Sequence, residues 1–309
     1  MPVTYLRGFT DQQGYLQVYR KDAPSASFRQ RPEATGFERY YYSQIDDEGT
    51  RDDDRLEALF SAVETDWPPI ATGLASRLPR FAKASQLIVF LGLMRVRGPA
   101  FRDAVELQLA QMVHMQAKAL QRAGQLPPPP AEFPDLLDHV QVAIDPQRSL
   151  IAMAETLSGI GGMLGRLSYE VVHNTSAMPF LTSDNPMIYF DPSRPVRSRY
   201  PYTIRPGGRV ELLFPVSASM LLRGRSLPMH ADIRHKDVAD ARQIVRFNRE
   251  IARYGYRFVF APRTGMENII GANAAVSPVV RFDTVPTPQG GSYHFSQMIF
   301  GPRPNKPKW

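Results

Sequence analysis

The side chains best suited to chemistry crowd into one short stretch, Phe180-Leu181-Thr182-Ser183-Asp184-Asn185-Pro186. There apolar residues flank four consecutive groups that can donate or accept hydrogen bonds. A carboxylate beside two hydroxyls and an amide could move a proton, orient a ligand or hold one. Asn185 precedes a proline, which steers it away from helical backbone, so the stretch reads as a strand ending in a turn. The competing account is an Asx or ST turn, in which such side chains bond their own backbone. The sequence leaves both accounts open.

Known catalytic signatures fail one by one. Ser183-Asp184-Asn185 matches the Ser-Asp-Asn element of serine β-lactamases and penicillin-binding proteins, and Arg263-Thr264-Gly265 could pass for a variant of their Lys-Thr-Gly. That chemistry needs a Ser-x-x-Lys nucleophile. Three residues before the six lysines stand Val18, Arg80, Met115, Ile233, Arg303 and Asn305, so none qualifies. Gly159, Gly161, Gly162 and Gly165 lack the glycine a dinucleotide fingerprint needs at Leu164, and a helix stands where its strand should be. No P-loop, G-x-S-x-G elbow or zinc-binding H-E-x-x-H helix occurs. His114, His139, His173, His230, His235 and His294 make no pair at helical metal-ligand spacing, and the seven acids of Asp46 to Glu57 lack the order of an EF-hand loop. Cysteine is absent, which removes disulfides, thiolate metal sites and thiol nucleophiles. The expectation is therefore no metal and no cofactor.

Charge carries the second signal. The chain has net charge +7, and 31 of its 37 basic residues are arginine. Met187 to Lys236 holds nine basic residues (Arg194, Arg197, Arg199, Arg205, Arg209, Arg223, Arg225, Arg234 and Lys236) against Asp191, Glu211 and Asp232. Tyr189, Tyr200 and Tyr202 are interleaved. Arginine with aromatics is the composition of a surface that holds phosphates and stacks bases. An ordinary solvated segment of an arginine-rich protein reads the same way.

Hydrophobic periodicity sets the elements that must position these groups. Pro2 to Phe9 predicts a short helix with proline at its start. Tyr15 to Tyr19 alternates as a strand, with Ser27 to Arg31 as its antiparallel partner across a Pro24-Ser25 turn. From Asp52 to Arg122 the pattern is helical, interrupted at Pro68 and Pro69. Phe81 to Arg97 is apolar nearly all round and reads as the buried central helix; Leu87 to Met94 should be almost wholly buried. Phe101 to Arg122 is amphipathic, with Val105, Leu109, Met112 and Leu120 on one side. Pro146 to Leu167 returns to helix. Short strands follow at Tyr169 to His173, Met187 to Phe190, Arg209 to Phe214 and Ser219 to Arg223. A helix then spans Lys236 to Tyr254, and further strands lie at Tyr256 to Phe260, near Val279 to Phe282 and over Tyr293 to Phe300. Strands and helices segregate, which predicts an α+β fold: a helical middle, then a β-rich, mainly antiparallel C-terminal half crossed by one helix. The stiff Pro127 to Pro130 spacer divides 1–126, a small β unit plus the helical region, from 131–309, with both packed as one unit. The longest apolar run, Leu87 to Met94, is eight residues, and a bilayer span needs about 20. No signal pattern opens the chain, so a cytoplasmic protein without a membrane contact is expected.

A family likeness emerges from the order of several short motifs. Pro2-Val3-Thr4-Tyr5-Leu6-Arg7-Gly8-Phe9-Thr10 resembles the opening signature of the bacterial family of unknown function numbered 4238, His-Tyr-Val-Pro followed by Tyr-Leu-Arg-x-Phe. Gly36-Phe37-Glu38-Arg39-Tyr40-Tyr41-Tyr42, the Phe180 to Pro186 stretch, Leu213-Phe214-Pro215-Val216-Ser217 and Asn248 with Tyr256 to Phe260 continue the pattern to about residue 262. The sequence begins at the proline of the opening motif, without the family's histidine: either the start lies upstream or this member has lost the residue. The resemblance implies a bacterial protein and supplies no reaction. It ties Glu38, Arg39 and Asn248 to the Thr182 stretch, and on that basis a polar site is expected. Asp184 or Glu38 would handle protons, with Asn185 beside them, and Asn248 would orient the ligand. Arg7 and Arg39 would hold an anion beside Thr182 and Ser183. The ligand class is phosphate-bearing or nucleic acid. The alternative is a non-catalytic protein that holds nucleic acid or an acidic partner through residues 187–236, Arg194, Arg197 and Arg199 foremost.

Overall fold

The computed structural model describes residues 1–35, 44–45, 51–52, 54–78, 81–226, 232–286 and 292–304. The chain opens with α1 (Val3–Leu6) and a 3-10 turn over Arg7–Phe9, which together bury Tyr5, Leu6 and Phe9. Next come β1 (Leu16–Arg20) and β2 (Ala23–Gln30), an antiparallel pair. The chain reverses at Lys21-Asp22, three residues before the Pro24-Ser25 turn expected from sequence, and Pro24 and Ser25 lie within β2. The physical reason is that β2 is an edge strand, where proline is tolerated. A small antiparallel pair follows, β3 (Gln44–Ile45) with β4 (Arg51–Asp52). Glu38 and Arg39, with the neighbouring tyrosines 40–42, lie outside the described residues.

The helical middle contains α2 (Asp54–Thr65), α3 (Trp67–Ala75), α4 (Ala84–Val96), α5 (Pro99–Arg122), α6 (Leu136–His139) and α7 (Pro146–Leu164). Pro68 and Pro69 occupy the first turn of α3, where a missing N–H leaves no helical bond unmade. On α4, Leu87, Phe90, Leu91, Leu93 and Met94 are buried, but Ile88 is half-buried and Val89 is 44% exposed. The helix therefore keeps one face outward, and the expected all-round burial does not hold there. Only the first turns of α5 are buried, at Ala100, Phe101 and Ala104; Met112 and Val113 are exposed.

The second half comprises β5 (Ser168–Asn174), β6 (Thr182–Ser183), β7 (Ile188–Phe190), β8 (Glu211–Ser217), β9 (Met220–Arg225), β10 (Arg234–Val238), α8 (Ala241–Tyr254), β11 (Phe258–Ala261), α9 (Glu267–Gly271), β12 (Ser277–Pro286) and β13 (Ser292–Gly301). Helix α8 starts five residues later than its hydrophobic pattern suggests, because Lys236 to Val238 pair with β5 as part of β10. One four-stranded sheet runs β2-β1-β11-β6; one five-stranded sheet runs β10-β5-β9-β8-β7. Among the described residues, pairing is antiparallel except between β10 and β5. The fold is thus α+β with a helical middle and a β-rich, mainly antiparallel C-terminal half.

One apolar cluster joins Tyr5, Leu6 and Phe9 to Trp67, Phe90 and Leu91 from the helices and to Val171, Phe214 and Phe260 from the strands. Trp67 stacks on Phe90 with ring centroids 4.4 Å apart, and Tyr5 lies 5.3 Å from Phe214. A second cluster packs Ile244, Ile251 and Ala252 of α8 against Tyr19, Phe180, Leu181 and Val259. Buried residues at 244, 248, 251 and 252 form the stripe by which α8 faces that cluster. Among the described residues, no helix is long and apolar enough to cross a membrane.

Candidate ligand site

Thr182, Ser183, Asp184 and Asn185 are all buried. β6 lies at the inner end of the first sheet, with Thr182 opposite Phe260 and Ser183 opposite Val259. Each side chain has an identifiable partner. The Thr182 hydroxyl lies 2.6 Å from the Tyr5 hydroxyl, which donates to the Pro215 carbonyl at 2.9 Å. Burial pushes the Tyr5 phenol far above its ordinary pKa. Ser183 Oγ accepts from Asn185 N at 3.2 Å, an ST turn of the kind weighed above. Asn185 Nδ2 donates to the Tyr254 carbonyl at 2.8 Å and to the Tyr202 hydroxyl at 2.6 Å.

Asp184 does something its local sequence does not show. Its Oδ1 accepts from Tyr256 N at 2.7 Å, and its Oδ2 accepts from Arg257 N at 2.7 Å and Phe258 N at 3.2 Å. Burial raises the Asp184 pKa, while these three donors and nearby Lys21 pull it back. One carboxylate thereby fixes the backbone that leads into β11. Asn248 works alike: its Oδ1 accepts from Leu181 N at 3.0 Å and its Nδ2 donates to the Pro179 carbonyl at 2.8 Å. The structure therefore brings Asn248 to the Thr182 stretch, as the family pattern implies, and engages both in backbone support. Arg7 is not brought there. It is exposed and paired with Glu33 at 3.0 Å, because the turn after α1 carries it to the surface while Tyr5 goes inward. Glu38 and Arg39 lie outside the described residues.

Lys21 shares this neighbourhood. Fully buried, it donates to the carbonyls of Gly255 at 2.7 Å, Arg253 at 3.3 Å and Val276. Burial pushes its pKa down from 10.5 to about 7, with Asp184 opposing the shift. The folded value lies below the unfolded one, so protons bind the unfolded chain better between the two. This group's contribution to stability is full above about 10.5 and is lost as pH falls through about 7. The melting temperature of the wild type relative to Lys21→Met is therefore expected to rise between pH 7 and pH 9 (roughly the lower half of that window). Thermal melts followed by circular dichroism would show it; a pH-independent difference would contradict it.

The polar backbone frame supports an open site. Arg20, Asp22, Phe28, Arg257, Phe258 and Arg303 line a cavity of about 430 Å³. Register explains its walls. On β1, Val18 lies opposite Phe28 and Phe260, and Arg20 lies opposite Phe258, so these residues share one sheet face. Val18 and Phe260 are buried at the inner end of that face; Phe28 is 42% exposed at the outer end. Arg20 is held by both Asp22 oxygens, at 3.0 and 2.8 Å. Arg303 donates to the Tyr256 carbonyl at 3.1 Å and lies 3.9 Å from Asp22, while Arg257 lies 3.8 Å from Asp103. Arg20 and Arg303 thus meet at Asp22, and Arg257, Phe28 and Phe258 complete the lining. Arg257 and Phe258 occupy the backbone positions that Asp184 fixes. Sequence reasoning missed this site because its arginines are spread over 283 positions; the Tyr256 to Phe260 motif was the one available signal.

The basic segment is less basic in space than in sequence. Arg199 pairs with Glu250 at 2.6 Å and lies over Phe190. Arg223 pairs with Glu211 at 2.8 Å, Arg225 lies 3.7 Å from Glu170, and Arg194 lies 4.0 Å from Asp191 and over Tyr200. Glu170 and Glu250 come from outside the segment, which its local charge count cannot show. Arg197, Arg205 and Arg209 are exposed. His173 and His235, brought together by β5 and β10, lie 2.9 Å apart, Nε2 to Nδ1. Burial lowers the His173 pKa. Among the described residues, no group of three or more metal-ligating side chains converges.

No curated protein and no solved structure matches the chain. A family model described as "Protein of unknown function (DUF4238)" matches residues 1–264, which include every residue of the cavity except Arg303. The chain belongs to the DUF4238 family.

Proposed function

We propose that the protein binds a phosphate-bearing ligand with an aromatic ring, a nucleotide or the end of a nucleic acid strand, in the cavity of Arg20, Arg257 and Arg303. The supporting observation is that three arginines and two phenylalanines line one concavity. Arginine matches phosphate oxygens with several N–H groups, and phenyl faces stack bases without regard to sequence. Asp184 serves as a positioning residue, holding the backbone of Arg257 and Phe258. Binding is better supported than turnover, since both Asp184 oxygens already accept backbone N–H groups. A nucleic-acid face on the basic segment is the second reading, supported by the exposed Arg197, Arg205 and Arg209.

Fluorescence anisotropy with labelled mononucleotides and single-stranded oligonucleotides tests the reading. At low salt, Arg303→Ser and Arg20→Ser are each expected to weaken binding about tenfold or more, the worth of a charge-assisted hydrogen bond. Phe258→Ala should cost a similar factor through lost stacking. Affinity that rises with strand length points to nucleic acid; equal affinity for mononucleotides points to a nucleotide. Arg197→Ser should change little. The reverse pattern, with Arg197→Ser damaging and the cavity variants silent, would move the interface to the basic segment.

A further inference from the structure

The closing hairpin, which lies beyond the family-matched residues 1–264, offers an interaction edge that does not rest on the ligand reading. β12 and β13 pair in one unbroken antiparallel register, from Ser277 opposite Gly301 to Pro286 opposite Ser292. The base of the hairpin is anchored. Val279 and Val280 are buried, Val279 packs with Ala100 and Tyr256, and helices α5 and α8 pack against β12. The outer half has no such cover: from Tyr293 to Ser296 every residue of β13 is exposed, on both faces of the ribbon. Alternation puts Val285, Tyr293 and Phe295 on one of those faces, and Tyr293 is 71% exposed. A two-stranded ribbon is marginally stable by itself, and further strands with an apolar face are what secure one.

The two edges of the ribbon differ. β12 carries Pro278 and Pro286, which share one parity in the register and are turned the same way. Proline in a paired strand sits with its nitrogen away from the partner, so neither can donate to a further strand. Between them lie Arg281 and Asp283, bonded to each other at 3.0 Å. Proline and charge are the means by which a sheet edge is closed to newcomers. β13 has neither. From Ser292 to Gly301 it contains no proline, lysine, arginine, aspartate or glutamate, and its register has no bulge. Among the described residues, the backbone of β13 bonds to β12 alone.

An open edge of this kind takes a strand, and its composition selects which. A charged strand finds no opposite charge on β13, whereas a second β13 is uncharged, equally long and carries the same aromatic residues. We propose that the chain forms a two-fold dimer in which β13 pairs antiparallel with β13 of a second copy, making a four-stranded sheet ordered β12-β13-β13-β12. A two-fold axis returns the same edge to itself, so the contact closes at two copies. Exposure of both faces from Tyr293 to Ser296 lets the second strand approach without meeting the body of the protein. Tyr293 and Phe295 of the two copies then share one sheet face and cover each other.

The test uses the full chain and one rung of the ladder, Thr284 opposite His294. Thr284 has the parity of Pro278 and Pro286, so its N–H and that of His294 both point away from the hairpin. His294→Pro therefore removes a donor from the β13 edge, and Thr284→Pro removes one from the β12 edge. Both abolish the same bond between the Thr284 and His294 side chains, so they weaken the hairpin itself alike. Sedimentation velocity over about 1 to 100 μM should show a monomer–dimer equilibrium for the wild type and for Thr284→Pro. His294→Pro should weaken the dimer about tenfold or more, because the two-fold axis repeats each lost bond. Phe295→Lys, which keeps every backbone donor and adds a charge to the edge, should weaken it similarly. A wild type that stays monomeric throughout would overturn the proposal. So would a dimer that His294→Pro leaves intact, or one that both proline variants weaken equally.

Discussion

Asp184→Ala is expected to destabilise the protein by about 3–5 kcal/mol, because one truncation strands three backbone donors and leaves Lys21 without its nearby carboxylate. Tyr256 N, Arg257 N and Phe258 N all end on this side chain. The Tyr256 donor is buried, and water cannot replace the lost acceptor without opening the fold. Asp184→Asn should cost less, since an amide oxygen still accepts on one side. Its NH2 must then meet an N–H on the other, so stability should fall between wild type and alanine. Urea unfolding of the three proteins would measure the series. A catalytic carboxylate with no structural duty would give Asp184→Ala a midpoint close to wild type, and that outcome would remove the positioning role.

Leu91→Asp is expected to prevent soluble folding. Leu91 is fully buried in the cluster that joins Tyr5, Trp67 and Phe90 to Phe214 and Phe260. An unpaired carboxylate there costs several kcal/mol or takes up a proton, and either effect approaches the ~5–15 kcal/mol that holds a typical domain together. Val89 on the same helix provides the control. At 44% exposed it should accept aspartate with little change, within about 0.5 kcal/mol. Expression yield and thermal melts of the two variants would show the contrast. Equal tolerance at both positions would mean that α4 is not the central helix of the core.

Much of this architecture is written in local patterns. Helical spacing marks α5, a long apolar run marks α4, alternation marks β1, and short apolar runs mark β8 and β12. Elements whose residues break the pattern stay hidden. β10 reads Arg-His-Lys-Asp-Val and looks like the start of a helix; it is an edge strand beside β5, where polar residues meet solvent. β6, two residues long, carries no period, and only the restriction Pro186 places on Asn185 marks it as a strand ending in a turn. The proline-containing strand β2 displaced the expected turn for a similar edge reason.

The site was legible in part. Asn248 meets the backbone of Leu181, one residue before Thr182, and the Ser183–Asn185 bond is the local turn that such sequences favour. The long-range half could not be read. Asp184 serves residues 72–74 positions downstream, Arg199 finds its carboxylate 51 positions away, and Arg20 and Arg303 meet from opposite ends of the chain. Pairing at such separations depends on sheet order, which local composition does not encode. The same holds for Lys21, a polar residue in an apparent turn that is fully buried.

The most direct test of the ligand-site reading is an aromatic proton NMR titration of the full chain with adenosine monophosphate. Stacking of the base in the cavity should move the Phe28 and Phe258 ring resonances upfield in a saturable way. The same midpoint should govern the Nε–H resonances of Arg20 and Arg303, and Arg303→Ser should raise it about tenfold. Shifts confined to residues of 187–236, or no shift at any nucleotide concentration at low salt, would contradict it.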